Sequence, residues 1–202
     1  CRSPARTRRD YTERLSTMEK ATVHIALFAA LIAALGLIPK LMLTSGVPIT
    51  AQSMGIMMAG TILGAKRGAA AVALFIALTL AGLPLLSGGR GGLGVLAGPS
   101  VGFVVGFPIA AWATGWIMER LHALPISIAA GIAATVGGII ILYIPGVAGM
   151  ALMLDKSLSQ AALLITPFLP GDVIKAVITA LLTQAIFAAR PASVFSRSGS
   201  SL

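Results

Sequence analysis

Residues 95–118, VLAGPSVGFVVGFPIAAWATGWIM, form the longest of the apolar stretches that we interpret as membrane spans, and they contain no charged side chain. A hydrocarbon core of ~30 Å requires ~20 apolar residues in a helix, so this run is long enough to cross a membrane. Hydrophobic residues make up 57% of the 202 positions and charged residues only 10%, whereas soluble domains carry roughly 25% charged residues. The sequence therefore predicts a protein whose exterior faces lipid.

Five further apolar stretches predict an all-α membrane protein with six transmembrane helices. In chain order, the predicted spans are residues 21–38, 49–63, 68–86, 95–118, 124–144 and 169–189. The second span is short, which is consistent with a tilted helix or one that continues into its loop. A cleaved signal peptide is the alternative for the first span. We prefer a retained helix because five apolar stretches follow it and Pro39-Lys40 is a poor cleavage context.

Three regions lie outside the predicted spans: two terminal tails and one polar segment between the fifth and sixth spans. Residues 1–17 are interpreted as an N-terminal tail, either added to the natural chain or encoded upstream of it, with Met18 as a plausible natural start. Residues 148–168 carry Asp155, Lys156 and several hydroxyl side chains, which predict short helices at the outer surface rather than a seventh span. Residues 190–202 are Ser-rich and predict a disordered C-terminal tail. Residues 18–189 thus form a single transmembrane domain.

The net charge of +9 indicates membrane orientation rather than nucleic-acid binding, because the basic residues form no shared stripe. If the N-terminus is cytoplasmic, eleven basic residues lie on the inner side and three on the outer side. The inner set is Arg2, Arg6, Arg8, Arg9, Arg14, Lys20, Lys66, Arg67, Arg120, Arg190 and Arg197. The outer set is Lys40, Arg90 and Lys156. This excess predicts that both termini are cytoplasmic.

The loop at residues 87–94, SGGRGGLG, surrounds Arg90 with five glycines. Glycine lets backbone N–H groups approach a ligand closely, and arginine offers a planar fork of donors that matches a carboxylate. The following Pro99-Ser100 suits a helix start, which also favours an anion. The pattern predicts an anion-binding loop; the alternative is a flexible turn whose arginine meets lipid headgroups. No βαβ unit surrounds the loop and the sequence has no P-loop motif, so neither a dinucleotide site nor an intrinsic ATPase is indicated.

A second polar position, residues 170–175 (PGDVIK), opens the sixth predicted span. Asp172 and Lys175 are three residues apart and therefore share one helix face. They can present an acceptor and a donor to a polar ligand, or form a structural ion pair with each other. Charged groups within a membrane are costly unless they are paired or face a cavity, so both interpretations fit.

Small residues recur every fourth position in two spans. Gly94, Gly98, Gly102 and Gly106 predict close helix packing along the fourth span. Ala26, Ala30 and Ala34 predict a smooth face on the first span, which can pack within the protein or dock a separate subunit.

Chemistry at a metal or a nucleophile is not indicated. Neither His24 nor His122 has a Cys, Asp, Glu or second His at ligand spacing, and Cys1 is the single cysteine. No Ser-His-Asp or Cys-His arrangement is evident either. We therefore expect no bound metal and no enzymatic activity.

Three segments taken together resemble the BioY family of biotin-uptake proteins. The first is residues 46–52, GVPITAQ. The second is GLP at residues 82–84, followed by GGRGGLG at 88–94 and GPSVG at 98–102. The third is PGD at residues 170–172, followed by Lys175. They match in order and spacing, and the similarity covers residues 21–189.

The resemblance implies a substrate-specific S component of an energy-coupling factor (ECF) transporter in a prokaryotic cell (inner) membrane. Such a protein has the six-helix S-component fold, binds biotin on its outer side and has no cofactor of its own. It works with a transmembrane T component and ATPase subunits that use ATP, or alone. The resemblance also implies that Ala26, Ala30 and Ala34 contact the T component.

The chemistry of biotin suits these residues. Its carboxylate requires a cation or N–H groups, and its ureido ring offers two N–H donors and one carbonyl acceptor. The expected substrate-binding residues are Arg90, Asp172, Lys175, Gly89, Gly91, Gln52 and Tyr143. The alternatives are an S component for another vitamin, or an ion-coupled carrier outside the ECF class.

Overall fold

The computed structural model describes residues 4–39, 41–42 and 48–197, with side chains described for residues 19–39 and 49–197. Within these residues the α-helices are α1 (Pro4–Leu35), α2 (Gln52–Leu63), α3 (Ala65–Leu80), α4 (Val101–Arg120), α5 (Ile126–Thr135), α6 (Leu142–Met153), α7 (Leu158–Leu164) and α8 (Leu169–Ala189). A π-helical turn, Val136–Ile141, joins α5 to α6 without a break. Short 3-10 helices lie at Leu93–Ala97, Thr166–Phe168 and Pro191–Ser193. Two-residue strands, β1 (Leu41–Met42) and β2 (Pro48–Ile49), pair antiparallel.

The all-α prediction is confirmed, and each of the six predicted spans corresponds to a helix. Three continuous helical segments are long and apolar enough to cross a membrane: Val101–Arg120, Ile126–Met153 and Leu158–Ala189. The 16 residues of α3 reach about 24 Å at ~1.5 Å per residue. Helix α1 begins at Pro4, well before the predicted start, so most of the interpreted N-terminal tail continues this helix.

The fifth predicted span ends too early at residue 144. The helix continues through Pro145 to Met153, because residues 142–153 carry no charge and polar residues begin only at Asp155. The missing N–H of a proline is tolerated in a membrane helix where neighbouring helices support the backbone. The predicted short helices follow as α7, which Ser157 and Gln160 begin with reciprocal side-chain-to-backbone hydrogen bonds.

Helix α4 lies at the centre and contacts α2, α3, α5, α6 and the π-helical turn. The predicted close packing is confirmed at two glycines: a Cβ at Gly102 would collide with the carbonyl oxygen of Pro145, and a Cβ at Gly106 would lie 2.7 Å from the Pro145 ring. Gly94 and Gly98 precede α4 and have open space beside them. The glycine row therefore serves packing only where it is helical.

Helix α8 is polar on the face that packs against the bundle and apolar on the exposed face. Asp172, Thr179 and Thr183 are buried, whereas Ile174 and Leu181 are about 60% exposed. In water this arrangement would be unfavourable, but lipid solvates the aliphatic face and the bundle supplies hydrogen-bond partners inside. The exposed face of α8 is accordingly a lipid-facing surface.

The C-terminal segment, residues 191–197, packs against the bundle, where the sequence predicted disorder. Val194 is fully buried, and the Ser196 backbone N–H donates to the Ile62 carbonyl at 3.2 Å. The Phe195 ring lies 4.8 Å from the His24 ring and 4.8 Å from the Arg67 guanidinium. Two apolar side chains thus anchor a Ser-rich segment. Residues 198–202 of the predicted tail and residues 46–47 of the first motif lie outside the described residues.

The alanine face of α1 points away from the bundle. Ala26, Ala30 and Ala34 are exposed, whereas Phe28 and Ile32 are buried against the neighbouring helices. Of the two roles open to this row, internal packing does not apply.

Candidate functional site

Arg90 stands at the end of a tight turn that starts at Leu86. The backbone N–H of each of these two residues donates to the carbonyl of the other, at 3.0 and 3.2 Å. Gly88 and Gly89 occupy the turn with φ of +81° and +70°, a conformation that glycine adopts without steric cost. The Arg90 guanidinium donates from Nε to the Ser87 carbonyl at 3.4 Å and from Nη1 to the Ser100 hydroxyl at 3.2 Å. The glycine-rich loop therefore presents a restrained guanidinium.

Asp172 is the centre of a second polar group, contributed by three helices. Its Oδ1 accepts from the Lys175 ammonium at 2.8 Å and from the Ser53 hydroxyl at 3.4 Å, and its Oδ2 accepts from the Tyr143 hydroxyl at 2.7 Å. Lys175 also donates to Ser53 Oγ at 3.1 Å. Asp172 is only 5% exposed. The pairing with Lys175 and the hydrogen bonds make a buried carboxylate tolerable here.

The local sequence explains why these groups converge. Pro170 stands in the first turn of α8, where its missing N–H is of no consequence. Asp172 follows in the same turn, where a carboxylate is stabilised by the helix dipole. Tyr143 comes from α6, immediately after the π-helical turn, and Ser53 from the first turn of α2. Ser53 and Asp172 therefore lie near the N-terminal ends of their helices, whereas Tyr143 lies within the continuous helical segment Ile126–Met153.

Both polar groups line one cavity of about 550 Å³, including its open mouth. Small-molecule sites commonly have an apolar lining and a few directed polar groups. The cavity is lined by Thr50, Gln52, Ser53, Leu86, Arg90, Ser100, Phe103, Val104, Phe107, Leu142, Tyr143, Phe168, Asp172 and Lys175. Aromatic and aliphatic side chains make up about half of this lining.

The lining carries a net positive charge. Lys175 and Asp172 form an ion pair, so their charges offset each other, whereas no carboxylate in the described part of the chain pairs with Arg90. A monoanion that reached the guanidinium would neutralise the cavity. The arrangement is suited to a small ligand with one carboxylate, an apolar body and a polar end that both donates and accepts hydrogen bonds.

Five of the seven predicted site residues line this cavity: Arg90, Asp172, Lys175, Gln52 and Tyr143. Gln52 does so with an amide that already binds backbone groups. Gly89 and Gly91 are not among the lining residues and shape the turn instead. A Cβ at Gly91 would collide with the Leu83 carbonyl. That any of these residues contacts a substrate stays a prediction.

Sequence reasoning missed several lining residues. Ser53, which bridges Lys175 and Asp172, follows Gln52 directly and could have been noted as a polar residue at a helix start. Phe103 and Phe107 are four residues apart in the apolar run at residues 95–118, so they share one helix face. That face can equally pack in a core, and their spacing alone does not separate the two roles.

Comparison with known proteins identifies relatives along most of the chain. Residues 8–192 match the BioY family. The biotin transporter BioY of Rhodobacter capsulatus is 48% identical over 189 residues, covering 89% of this chain and 100% of the relative. The biotin transporter BioY of Rhizobium etli is 47% identical and covers 84% of this chain and 94% of the relative.

A solved structure agrees with these sequence relationships. The crystal structure of the S-component for biotin from an ECF-type ABC transporter matches with a TM-score of 0.81 at 31% identity, covering 86% of this chain and 93% of that one. The relatives are transporters, in agreement with the expectation that the chain is not an enzyme. By sequence along nearly its whole length and by fold, this chain is a membrane protein that belongs to the BioY family.

Proposed function

We propose that this protein binds biotin in the cavity described above and mediates its uptake as the substrate-specific component of an ECF-type transporter. The observation that carries the proposal is that one cavity holds both the Arg90 guanidinium, which pairs with no carboxylate among the described residues, and a separate Asp172–Lys175–Tyr143 group. The descriptions of the relatives support biotin as the ligand.

Biotin matches the two polar groups separately. Its carboxylate is assigned to Arg90, with the Ser100 hydroxyl as a neighbouring donor. Its ureido N–H groups are assigned to Asp172 and its ureido oxygen to Lys175, since these side chains accept and donate respectively. Its bicycle and aliphatic tail are assigned to the lining between them, which includes Phe103 and Phe107. The ligand carboxylate then offsets the net positive charge of the cavity.

The coupling partners are assigned to the alanine face of α1. A row of exposed small residues allows another helix to approach closely, and such contacts drive helix association in lipid. Ala26, Ala30 and Ala34 supply this row on the outside of the bundle. In this proposal a T component docks there and the partner ATPase subunits use ATP, while this chain contributes the substrate site.

Both termini are assigned to the cytoplasm and the cavity to the outer side. The C-terminal segment shares its end of the bundle with basic residues: Phe195 stacks on Arg67, and Arg197 contacts Met118 near the end of α4. Arg120 lies over the Trp116 ring at the same end of that helix. The basic residues support a cytoplasmic location for this end, and the tryptophan is typical of a membrane–water interface.

Biotin binding to the purified protein in detergent, measured by isothermal titration calorimetry, tests the ligand assignment. We expect saturable binding at one site per chain. Uptake of labelled biotin in cells that lack their own biotin transporter, with and without co-expressed coupling subunits, tests the transport role. Absence of binding by a monodisperse protein would overturn the proposal.

A further inference from the structure

Gln52 joins three separate parts of the chain through its side-chain amide. Its Nε2 donates to the Ile32 carbonyl of α1 at 3.2 Å and to the Leu85 carbonyl at 2.9 Å. Its Oε1 accepts from the Ser87 backbone N–H at 3.0 Å. Both N–H groups of the amide are thereby used, and the side chain is only 1% exposed.

These bonds lead directly to Arg90. The Ser87 N–H binds Gln52, and the Ser87 carbonyl accepts from Arg90 Nε at 3.4 Å. Gly88 and Gly89, which lie between Ser87 and Arg90 in this turn, have positive φ. Glycines give this turn high conformational freedom, so its position depends on the groups that hold its two ends. Gln52 holds the first end, and Ser100 binds the guanidinium itself.

The α1 side of this junction is shaped to admit the amide. A Cβ at Gly36 would lie 2.8 Å from Gln52 Nε2 and 2.7 Å from the Leu85 carbonyl oxygen. Either contact would force the added Cβ or the neighbouring polar group to shift. Gly36 therefore provides the space in which α1, the Arg90 turn and α2 meet, although it is not among the residues that line the cavity.

We propose that Gln52 is a positioning residue: it fixes the Arg90 turn against α1 and so sets the guanidinium at the carboxylate end of the ligand. This inference rests on the proposed function. It assigns to Gln52 an effect on one end of the ligand only, because its amide N–H groups are engaged by backbone carbonyls. If Gln52 contacted the ligand directly, its substitution would instead weaken the binding of the part of the ligand that lies nearest to it.

The test compares biotin with its methyl ester, which keeps the ureido ring and the tail but lacks the negative charge. Gln52→Met removes the three hydrogen bonds at similar volume. We expect biotin affinity to fall about 10-fold or more, as for loss of a hydrogen bond to a charged group. Ester affinity should change by less than ~2-fold, or about 0.4 kcal/mol, because the ester lacks the carboxylate that the Arg90 guanidinium would bind. In the Arg90→Ala background the same substitution should add nothing.

Two further variants keep the inference falsifiable. Gly36→Ala crowds the same junction from α1 and should reproduce the selective loss, which decides the matter if Gln52→Met does not fold. Thr183→Val is the control, since Thr183 is buried and bonded to Thr61 at 3.0 Å, outside the cavity. It should leave the ratio of the two affinities unchanged. Equal losses for acid and ester, or a further loss in the Arg90→Ala background, would overturn the positioning role while leaving biotin binding established. Failure of the wild-type protein to bind biotin would overturn the proposed function itself, and the inference with it.

Discussion

Replacing Asp172 with asparagine tests the ureido end of the proposed site. The substitution keeps the side-chain volume but removes the charge and replaces one acceptor with a donor. Oδ2 accepts the Tyr143 hydroxyl at 2.7 Å and Oδ1 accepts Lys175 at 2.8 Å. An amide cannot accept at both positions, and its NH₂ group would face ligand N–H groups that also donate.

The expected magnitude follows from the charge. A hydrogen bond to an ionised group contributes ~1.5–3 kcal/mol net, so Asp172→Asn should weaken biotin binding by roughly 10- to 150-fold at ~1.4 kcal/mol per decade. The loss should apply equally to biotin and its methyl ester, because the carboxylate is assigned to Arg90. Isothermal titration calorimetry with both ligands measures this directly.

A structural ion pair would produce a different result. Removing one partner strands the other, so Asp172→Asn and Lys175→Met would each lower folded yield in size-exclusion chromatography. The double variant leaves no unpaired charge, so a structural ion pair predicts that folded yield recovers. If Asp172 and Lys175 bind the ligand, biotin affinity should not recover with it. A well-folded Asp172→Asn protein with unchanged biotin affinity would refute the assignment of Asp172 to the site.

Three other predictions follow from named contacts. Tyr143→Phe removes the hydroxyl that donates to Asp172 and should lower biotin affinity by about 2- to 13-fold, for a hydrogen bond of ~0.5–1.5 kcal/mol; unchanged calorimetric affinity would remove Tyr143 from the site. Ala30→Leu should reduce co-purification of coupling subunits and leave biotin binding intact, since Ala30 is exposed on α1; an equal loss of binding would contradict a docking role. Val194→Ala removes fully buried methyl groups and should lower the free energy of unfolding by about 1–3 kcal/mol, seen as a lower thermal midpoint in detergent, whereas an unpacked C-terminal segment predicts no shift.

Periodicity and composition were sufficient to predict the six helices, because a helix that crosses the bilayer needs a long apolar stretch. Helix ends were less predictable. The fifth span was predicted to end at residue 144, yet the helix continues through Pro145 to Met153 because adjacent helices support it. The C-terminal segment was missed because two apolar residues, Val194 and Phe195, anchor it among serines.

At the site, the residues that could be predicted from the sequence were the charged ones. Arg90, Asp172 and Lys175 stood out because ionisable groups in an apolar chain need a partner or a cavity. Ser53 gave no such signal, since a hydroxyl is common at helix starts. The role of Gln52 in joining α1 to the Arg90 turn depends on contacts between residues 20 and 35 positions apart. Such long-range pairing follows from tertiary packing and leaves no local pattern.

A structure of the protein with bound biotin tests the central claim most directly. We expect biotin in the cavity among α2, α4, α6 and α8, with its carboxylate within hydrogen-bond distance of Arg90 and its ureido ring within hydrogen-bond distance of Asp172 and Lys175. Biotin bound at another surface, or bound in this cavity without contact to any of these three side chains, would contradict it.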